Sequence, residues 1–188
     1  MAKTELTKKL EELLFQRLGR AEIGCGEVMI GWFGHEIVDF ITCTVDKNRY
    51  IKCFEIKVSK SDFHSDAKLT FIGHYNYFVM PEELYEEVKT EIPYWIGVYA
   101  EKTENLLSGK GELKCIKKSR FSELKADKEI IFTSMLRSMQ REWFKCLKQN
   151  KEKKNKYSET LNELMEKATP MKPDEGTVNA EFICDHLF

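Results

Sequence analysis

The spacing of apolar residues changes along the chain, from helical near the N-terminus to strand-like soon afterwards. Leucines recur every three or four positions across residues 4–18, which predicts an amphipathic helix with Thr4 as its N-cap. Three apolar runs separated by short polar turns then predict strands over residues 27–33, 36–45 and 50–58. Because tight turns connect antiparallel neighbours, these three strands are expected to form a meander.

Helices and strands alternate in the next part of the chain. The pattern predicts a helix over residues 61–72 that Ser61 and Asp62 would cap, a strand over 75–80, a helix over 82–90 and a strand over 94–100. Strands joined through helices of this length run parallel through crossover connections. The sequence therefore predicts an α/β fold with a mixed β-sheet flanked by helices.

The last third of the chain is more polar and more basic. A short strand is expected over residues 111–116, a long helix with one apolar stripe over 127–154, and a further short helix over 157–169. The stripe includes Trp143, and the helix end is rich in lysine. This organisation divides the chain into three predicted parts: a core domain (1–125), a C-terminal helical extension with a basic end (126–168), and a linker and tail (169–188).

Composition limits the class of protein. The 188 residues are 42% hydrophobic and carry a formal net charge of -1, so a nucleic-acid surface would have to be a local patch. The charged N-terminus lacks the apolar core of a signal peptide, and no apolar run approaches a membrane span, which favours a cytoplasmic protein. The six cysteines are scattered without a Cys-x-x-Cys pair, which is unlike a structural zinc site or a disulfide scaffold. Cys43 and Cys53 lie within apolar strand patterns and are expected to be buried reduced thiols.

Two acids and a lysine interrupt the apolar strands. Strand alternation puts Glu55 and Lys57 on one face, and the neighbouring strand can present Asp39 to the same face. The side chains next to these acids on that face are apolar, and burying a carboxylate among them is costly unless a cation compensates. Two carboxylates and the Ile56 carbonyl are oxygen donors of the kind Mg²⁺ prefers, and Lys57 can hold water or offset phosphate charge. A plain surface ion pair between Glu55 and Lys57 is the alternative that the pattern leaves open.

A longer motif surrounds these residues. The stretch from Glu55 to Lys68 reads EIKVSKSDFHSDAK, and the strand that follows ends in YFVMP. With the predicted order of helix, three strands, helix and strand, it resembles the restriction-endonuclease-like core of the PD-(D/E)XK nuclease superfamily. Within that superfamily, residues 20–100 or so are similar to the MmcB-like DNA-repair proteins. Two positions depart from the pattern: Val38 precedes the aspartate where the superfamily has proline, and Leu69 replaces a tryptophan.

The resemblance implies a role for each matching residue. Asp39 and Glu55, with the Ile56 carbonyl, would be the metal ligands, and Lys57 would be the catalytic lysine. Four further residues match supporting positions of the family: Glu27, Asp62, Asp66 and Lys68.

The expected function is Mg²⁺- or Mn²⁺-dependent cleavage of DNA phosphodiester bonds in repair or processing, with a homodimer as one way to cut two strands. Basic residues near the predicted site are expected to contact DNA phosphates: Lys47, Arg49, Lys60 and Lys68. Two alternatives remain open, a catalytically inactive nucleic-acid-binding or adaptor module with the same fold and a defence or mobile-element endonuclease subunit. His64 and His74 are expected to be structural rather than ligands.

Overall fold

The structure is a computed structural model, and it describes residues 3–31, 36–65, 71–102 and 111–167. Asp66 and Lys68 of the motif lie outside these residues, as do the predicted turn at Gly34-His35 and the predicted tail.

The order of elements is helix, three strands, helix, strand, helix, two strands and helix. The helices are α1 (Glu5–Gln16), α2 (Lys60–Phe63), α3 (Glu82–Val88) and α4 (Lys128–Lys167). The strands are β1 (Glu22–Ile30), β2 (Glu36–Thr44), β3 (Ile51–Ile56), β4 (Tyr75–Pro81), β5 (Gly97–Lys102) and β6 (Glu112–Lys117).

The strands form one mixed sheet in the sequential order β1-β2-β3-β4-β5-β6. The first three strands are antiparallel neighbours, β3, β4 and β5 are parallel, and β6 returns antiparallel to β5. The parallel pairs are those whose connections contain α2 and α3, since a parallel neighbour cannot be reached through a tight turn. The predicted meander and mixed sheet flanked by helices are therefore confirmed.

Two apolar layers cover the two faces of the sheet. On one face Phe54 and Ile56 of β3 pack with Leu10 and Leu14 of α1. On the other face Ile51, Cys53 and neighbours from β1 and β2 pack with Ile131 and Met135 of α4. The alternation of buried side chains along β3 thus assigns odd-numbered residues to the α4 side and even-numbered residues to the α1 side.

The long C-terminal helix differs from its prediction. One helix runs from Lys128 to Lys167, where two helices separated near residue 155 were expected. The main-chain N–H groups of Glu129 and Ile130 donate to the Asp127 carboxylate, which caps the start of the helix. Because no glycine or proline lies between Asp127 and Lys167, nothing in the sequence breaks the helix once it has begun.

Three smaller expectations are also corrected. Strand β1 begins at Glu22, earlier than predicted, because residues 22–26 also pair with β2. Ser59 rather than Ser61 or Asp62 caps α2, since its hydroxyl accepts the Asp62 N–H at 3.1 Å. Trp143 is 64% exposed, so it does not pack in the core.

By its contacts the chain divides into the units Met1–Trp143 and Phe144–Phe188. The first unit contains the whole sheet and the first turns of α4, whose Ile131 and Met135 belong to the core. The second unit contains the rest of α4, which carries the basic stretch and several exposed apolar side chains. Across the described part of the chain, no helix combines the length and apolar character that crossing a membrane requires.

Candidate active site

Asp39 and Glu55 lie just beyond the last paired residues of β2 and β3. The paired residues run from Cys43 with Ile51 to Phe40 with Phe54, and Asp39 and Glu55 are the next residues at this end of the two strands. The Asp39 carboxylate accepts the Ile56 N–H at 2.8 Å. This bond fixes the carboxylate beside the Glu55–Ile56 peptide, and the structure therefore brings together the two acids that the sequence singled out.

Burial dominates the electrostatics of Asp39. It raises the pKa of this half-buried carboxyl above its usual value, because the charged form loses hydration. The Ile56 N–H, Lys57 and Lys3 act in the opposite direction, and the negative charge of Asp62 adds to the rise in pKa. The carboxylate is thus held in a place where its charge costs free energy in the absence of further cations.

Glu55 and Lys57 follow each other on the same face of the sheet and are almost completely buried. Glu55 is 6% exposed and Lys57 is 4% exposed, next to Cys53 in the apolar layer on the α4 side. The Lys57 main-chain N–H donates to the Val79 carbonyl at 2.9 Å, which continues the pairing between β3 and β4. The open alternative of a solvated surface pair is wrong for these two side chains, because neither lies on the surface.

Asp62 connects the end of β3 to α2. The Lys57 ammonium donates to the Asp62 main-chain carbonyl at 3.1 Å and lies 3.7 Å from an oxygen of its carboxylate. The other carboxylate oxygen accepts the Val58 N–H at 3.0 Å. Asp62 therefore orients Lys57 instead of capping the helix, which Ser59 does.

Glu27 lies in β1 next to the stretch of β2 that contains Asp39. The register pairs Gly26 with Phe40 and Val28 with Val38, and Glu27 falls between these pairs with a φ of 50°. Its carbonyl accepts bonds from Arg141 at 2.7 Å and Ser138 at 3.1 Å.

Two residues that sequence reasoning missed join this group. The ammonium of Lys3, just before α1, bonds to the carboxylate of Glu11 on α1 and lies 2.8 Å from a carboxylate oxygen of Glu27. No local motif marks either residue. Their role depends on how α1 packs against β1, which a spacing argument does not give.

The cations predicted to contact DNA do not all lie near these acids. Lys47 and Arg49 belong to the turn that joins β2 to β3, whereas Asp39 and Glu55 lie at the other end of the strand pair. Asp39 and Thr44, the last residue of β2, are roughly 17 Å apart at about 3.4 Å per residue. The expectation that Lys47 and Arg49 lie near the site is therefore wrong. Lys60, exposed on the first turn of α2, lies close to Lys57 in the chain.

The turn at the far end of the strands borders an apolar groove. Arg49 lines it together with Cys43, Phe132 and Met135, and its volume is about 430 Å³. Arg49 also lies over the Phe132 ring, with its guanidinium carbon 5.7 Å from the ring centre. These contacts give Arg49 a packing role on the α4 side.

Both predicted structural histidines have protein partners. His64 lies 2.6 Å from the Glu91 carboxylate of the segment after α3. His74 accepts the Ile51 N–H at 3.0 Å and stacks on Phe121. Their expected structural roles agree with these contacts.

The acids offer a small set of ligands for a cation. Among the described residues, no group of three or more histidine, cysteine or acidic side chains has the geometry to hold a metal ion. Asp39 and Glu55 supply two carboxylates, and Mg²⁺ is commonly held by one or two carboxylates together with several waters. The chemistry of this donor set fits Mg²⁺ or Mn²⁺, whereas Zn²⁺ prefers nitrogen and sulfur ligands.

Comparison with known proteins identifies a related fold. No family model matches the chain, and no curated protein matches it. A solved structure, a protein of unknown function from Silicibacter pomeroyi called SPO1766, is similar with a TM-score of 0.59. The sequences are 14% identical, and the match covers 76% of this chain and 91% of that one. At this identity the similarity is one of fold alone.

Proposed function

We propose that this protein is a Mg²⁺- or Mn²⁺-dependent nuclease with a restriction-endonuclease-like PD-(D/E)XK core, acting on DNA phosphodiester bonds. The order of helix, antiparallel meander, helix and parallel strand supports this proposal. The observation that carries it is the 2.8 Å hydrogen bond from the Ile56 N–H to the Asp39 carboxylate, which puts this acid beside Glu55, with Lys57 buried next on the same strand face.

The donor set favours a hard divalent cation. Asp39 and Glu55 would hold it, with the Ile56 carbonyl as a further oxygen ligand. Burial raises the pKa of Asp39, and a cation at this place relieves the unfavourable burial of charge. When bound, the ion supplies Lewis acidity at a phosphate oxygen and lowers the pKa of water.

In this proposal Lys57 acts on the phosphate or on the attacking water. Of its three ammonium donors, one is directed to the Asp62 carbonyl, which fixes the side chain at the end of β3. Held there, the ammonium orients water and offsets negative charge that develops on the phosphate. Hydrolysis joins the water oxygen to phosphorus and breaks one P–O ester bond, which leaves a phosphate monoester and a hydroxyl end.

The charge balance of the chain favours weak, sequence-independent binding. The formal net charge is -1, so DNA attraction depends on local cations such as Lys60 beside the site. Contacts of this kind are to phosphates and carry little sequence information.

The test is cleavage of labelled single-stranded, duplex and branched DNA with Mn²⁺ or with EDTA. We expect Mn²⁺-dependent cleavage by the wild type and a loss of about a hundredfold or more in Asp39→Asn and Lys57→Met. Lys89→Met is the matched control, because this exposed lysine pairs with Glu86 of α3 and not with any of the proposed site residues.

Two results contradict the proposal: no cleavage by the wild type, or unchanged cleavage in both site variants. DNA binding without cleavage would instead support the alternative of an inactive binding module. That alternative has one observation in its favour, the engagement of the Lys57 ammonium by Asp62.

A further inference from the structure

Lys3 is a cation supplied by the chain itself on the α1 side of the proposed metal site. Its ammonium bonds to Glu11 and lies 2.8 Å from Glu27. These carboxylates come from different elements, α1 and β1, so Lys3 connects the segment before α1 to the sheet. Its side chain is 31% exposed, so this ion pair is only partly buried.

The position of Glu27 connects this ion pair to the proposed ligands. Glu27 lies between the residues of β1 that pair with Phe40 and Val38, so it neighbours Asp39 of β2. The Asp39 carboxylate in turn accepts the N–H of Ile56, the residue after Glu55. Lys3 and a divalent ion at Asp39 would therefore act on the same group of carboxylates and repel each other.

We propose that Lys3 is an internal counter-cation that lowers the affinity of this site for a divalent metal, so that metal binding and the Lys3 contacts compete. The inference rests on the proposed function, because it places the metal at Asp39 and Glu55. It makes Lys3 a positioning residue rather than a catalytic one. In the metal-free protein the Lys3 ammonium lies between the carboxylates of Glu11 and Glu27 and offsets their repulsion. When the metal binds, its charge weakens the ion pairs that Lys3 makes with these two carboxylates.

The competition between Lys3 and the metal should change the affinity for the metal by a measurable factor. Removing one unit of positive charge from the neighbourhood of a divalent ion in a partly exposed site is expected to tighten binding about tenfold. The effect should shrink as salt is added, because the Debye length falls to about 10 Å at 0.1 M ionic strength.

The experiment is Mn²⁺ binding to the full-length protein, followed by calorimetry and by electron paramagnetic resonance of the free ion. We expect Lys3→Gln to bind Mn²⁺ about tenfold more tightly than the wild type. Lys3→Arg keeps the charge and should bind like the wild type. Lys8→Gln is the matched control, because Lys8 pairs with Glu5 on the exposed side of α1.

Thermal melting supplies a second readout. In EDTA, Lys3→Gln should melt below the wild type, because Glu11 and Glu27 lose their shared cation. In saturating Mn²⁺ the metal should raise the melting temperature of Lys3→Gln more than that of the wild type. A merely structural role for Lys3 predicts the lower melting temperature without this larger response to metal.

The outcomes separate the two proposals. Equal or weaker Mn²⁺ affinity in Lys3→Gln would overturn the role of Lys3 and leave the nuclease proposal intact. Mn²⁺ binding that Asp39→Asn does not weaken would contradict the proposed metal site, whatever Lys3 does. No Mn²⁺ binding in either the wild type or Lys3→Gln would overturn both.

Discussion

Asp39 and Asp46 lie at opposite ends of the same pair of strands, and their pKa values move in opposite directions. Asp46, in the exposed turn between β2 and β3, accepts the N–H groups of Asn48 and Arg49 and the hydroxyl of Thr44. These bonds lower the pKa of Asp46, and the bond from the Arg49 N–H has the largest effect. Asp39 accepts the Ile56 N–H, but burial outweighs this bond and raises its pKa.

The difference separates a structural acid from a candidate functional one. At Asp46 every contact favours the charged form, which is what a turn-forming aspartate needs. At Asp39 the fold holds a carboxylate where ionisation is unfavourable, next to Glu55 and Lys57. A position that costs stability in the free protein is the kind in which active-site residues are found.

The largest effect on stability is expected at Asp39. Asp39→Asn keeps a side-chain oxygen that can accept the Ile56 N–H but cannot ionise. In EDTA at neutral pH the variant should therefore be more stable than the wild type, on the order of 1 kcal/mol. Urea unfolding at fixed pH measures the difference.

The pH dependence of this gain has a defined sign. The folded-state pKa of Asp39 is raised, so the native state favours the protonated carboxyl. The loss of wild-type stability caused by ionising this carboxyl therefore grows as pH rises above the unfolded-state pKa of about 3.9. The advantage of Asp39→Asn should disappear below about pH 4. An advantage that persists at low pH, or a loss of stability at pH 7, would show that burial of charge is not the dominant effect.

The opposite behaviour is expected at Asp46, with a smaller effect because the side chain is exposed. Its folded-state pKa is lowered, so its contribution to stability is present above the unfolded value of about 3.9 and is lost as pH falls through the folded one. Asp46→Ala should lower the melting temperature at pH 7, and the deficit should shrink towards pH 3. Asp46→Asn separates charge from hydrogen bonding, and an Asn variant as unstable as the Ala variant would point to the charge.

The pattern of apolar and polar residues in the strands correctly predicts that Asp39 lies close to Glu55. The short turns around the three strands fix an antiparallel meander, and alternation along β3 puts Glu55 and Lys57 on one face. Once β2 and β3 are known to be neighbours, few registers bury both apolar faces, so Asp39 must come close to Glu55. The central pair of acids was therefore accessible from local pattern alone.

Other features depend on packing between distant segments. Lys3 reaches Glu27 only because α1 lies against β1, and neither spacing nor composition contains that information. The length of α4 follows from the absence of a helix breaker, although two helices, over 127–154 and 157–169, were predicted. Lys47 and Arg49 are close to Glu55 in sequence, but the strand separates them from it in space.

Lys60 and Lys47 differ in position as Asp39 and Asp46 do, and we expect their substitution to have the smallest effect of those predicted here, a change in the salt dependence of DNA binding. Lys60 lies beside the Asp39 end of the hairpin and Lys47 in the opposite turn, and both side chains are exposed. If DNA binds at the Asp39 end, Lys60→Gln should reduce the slope of log K against log salt by about one, whereas Lys47→Gln should leave it unchanged. Fluorescence anisotropy of a labelled duplex in EDTA over a range of KCl concentrations measures both slopes. Because the two variants remove the same charge from exposed lysines, equal reductions would mean that the DNA extends to the turn, and a reduction in Lys47→Gln alone would place the DNA at the Asp46 end instead.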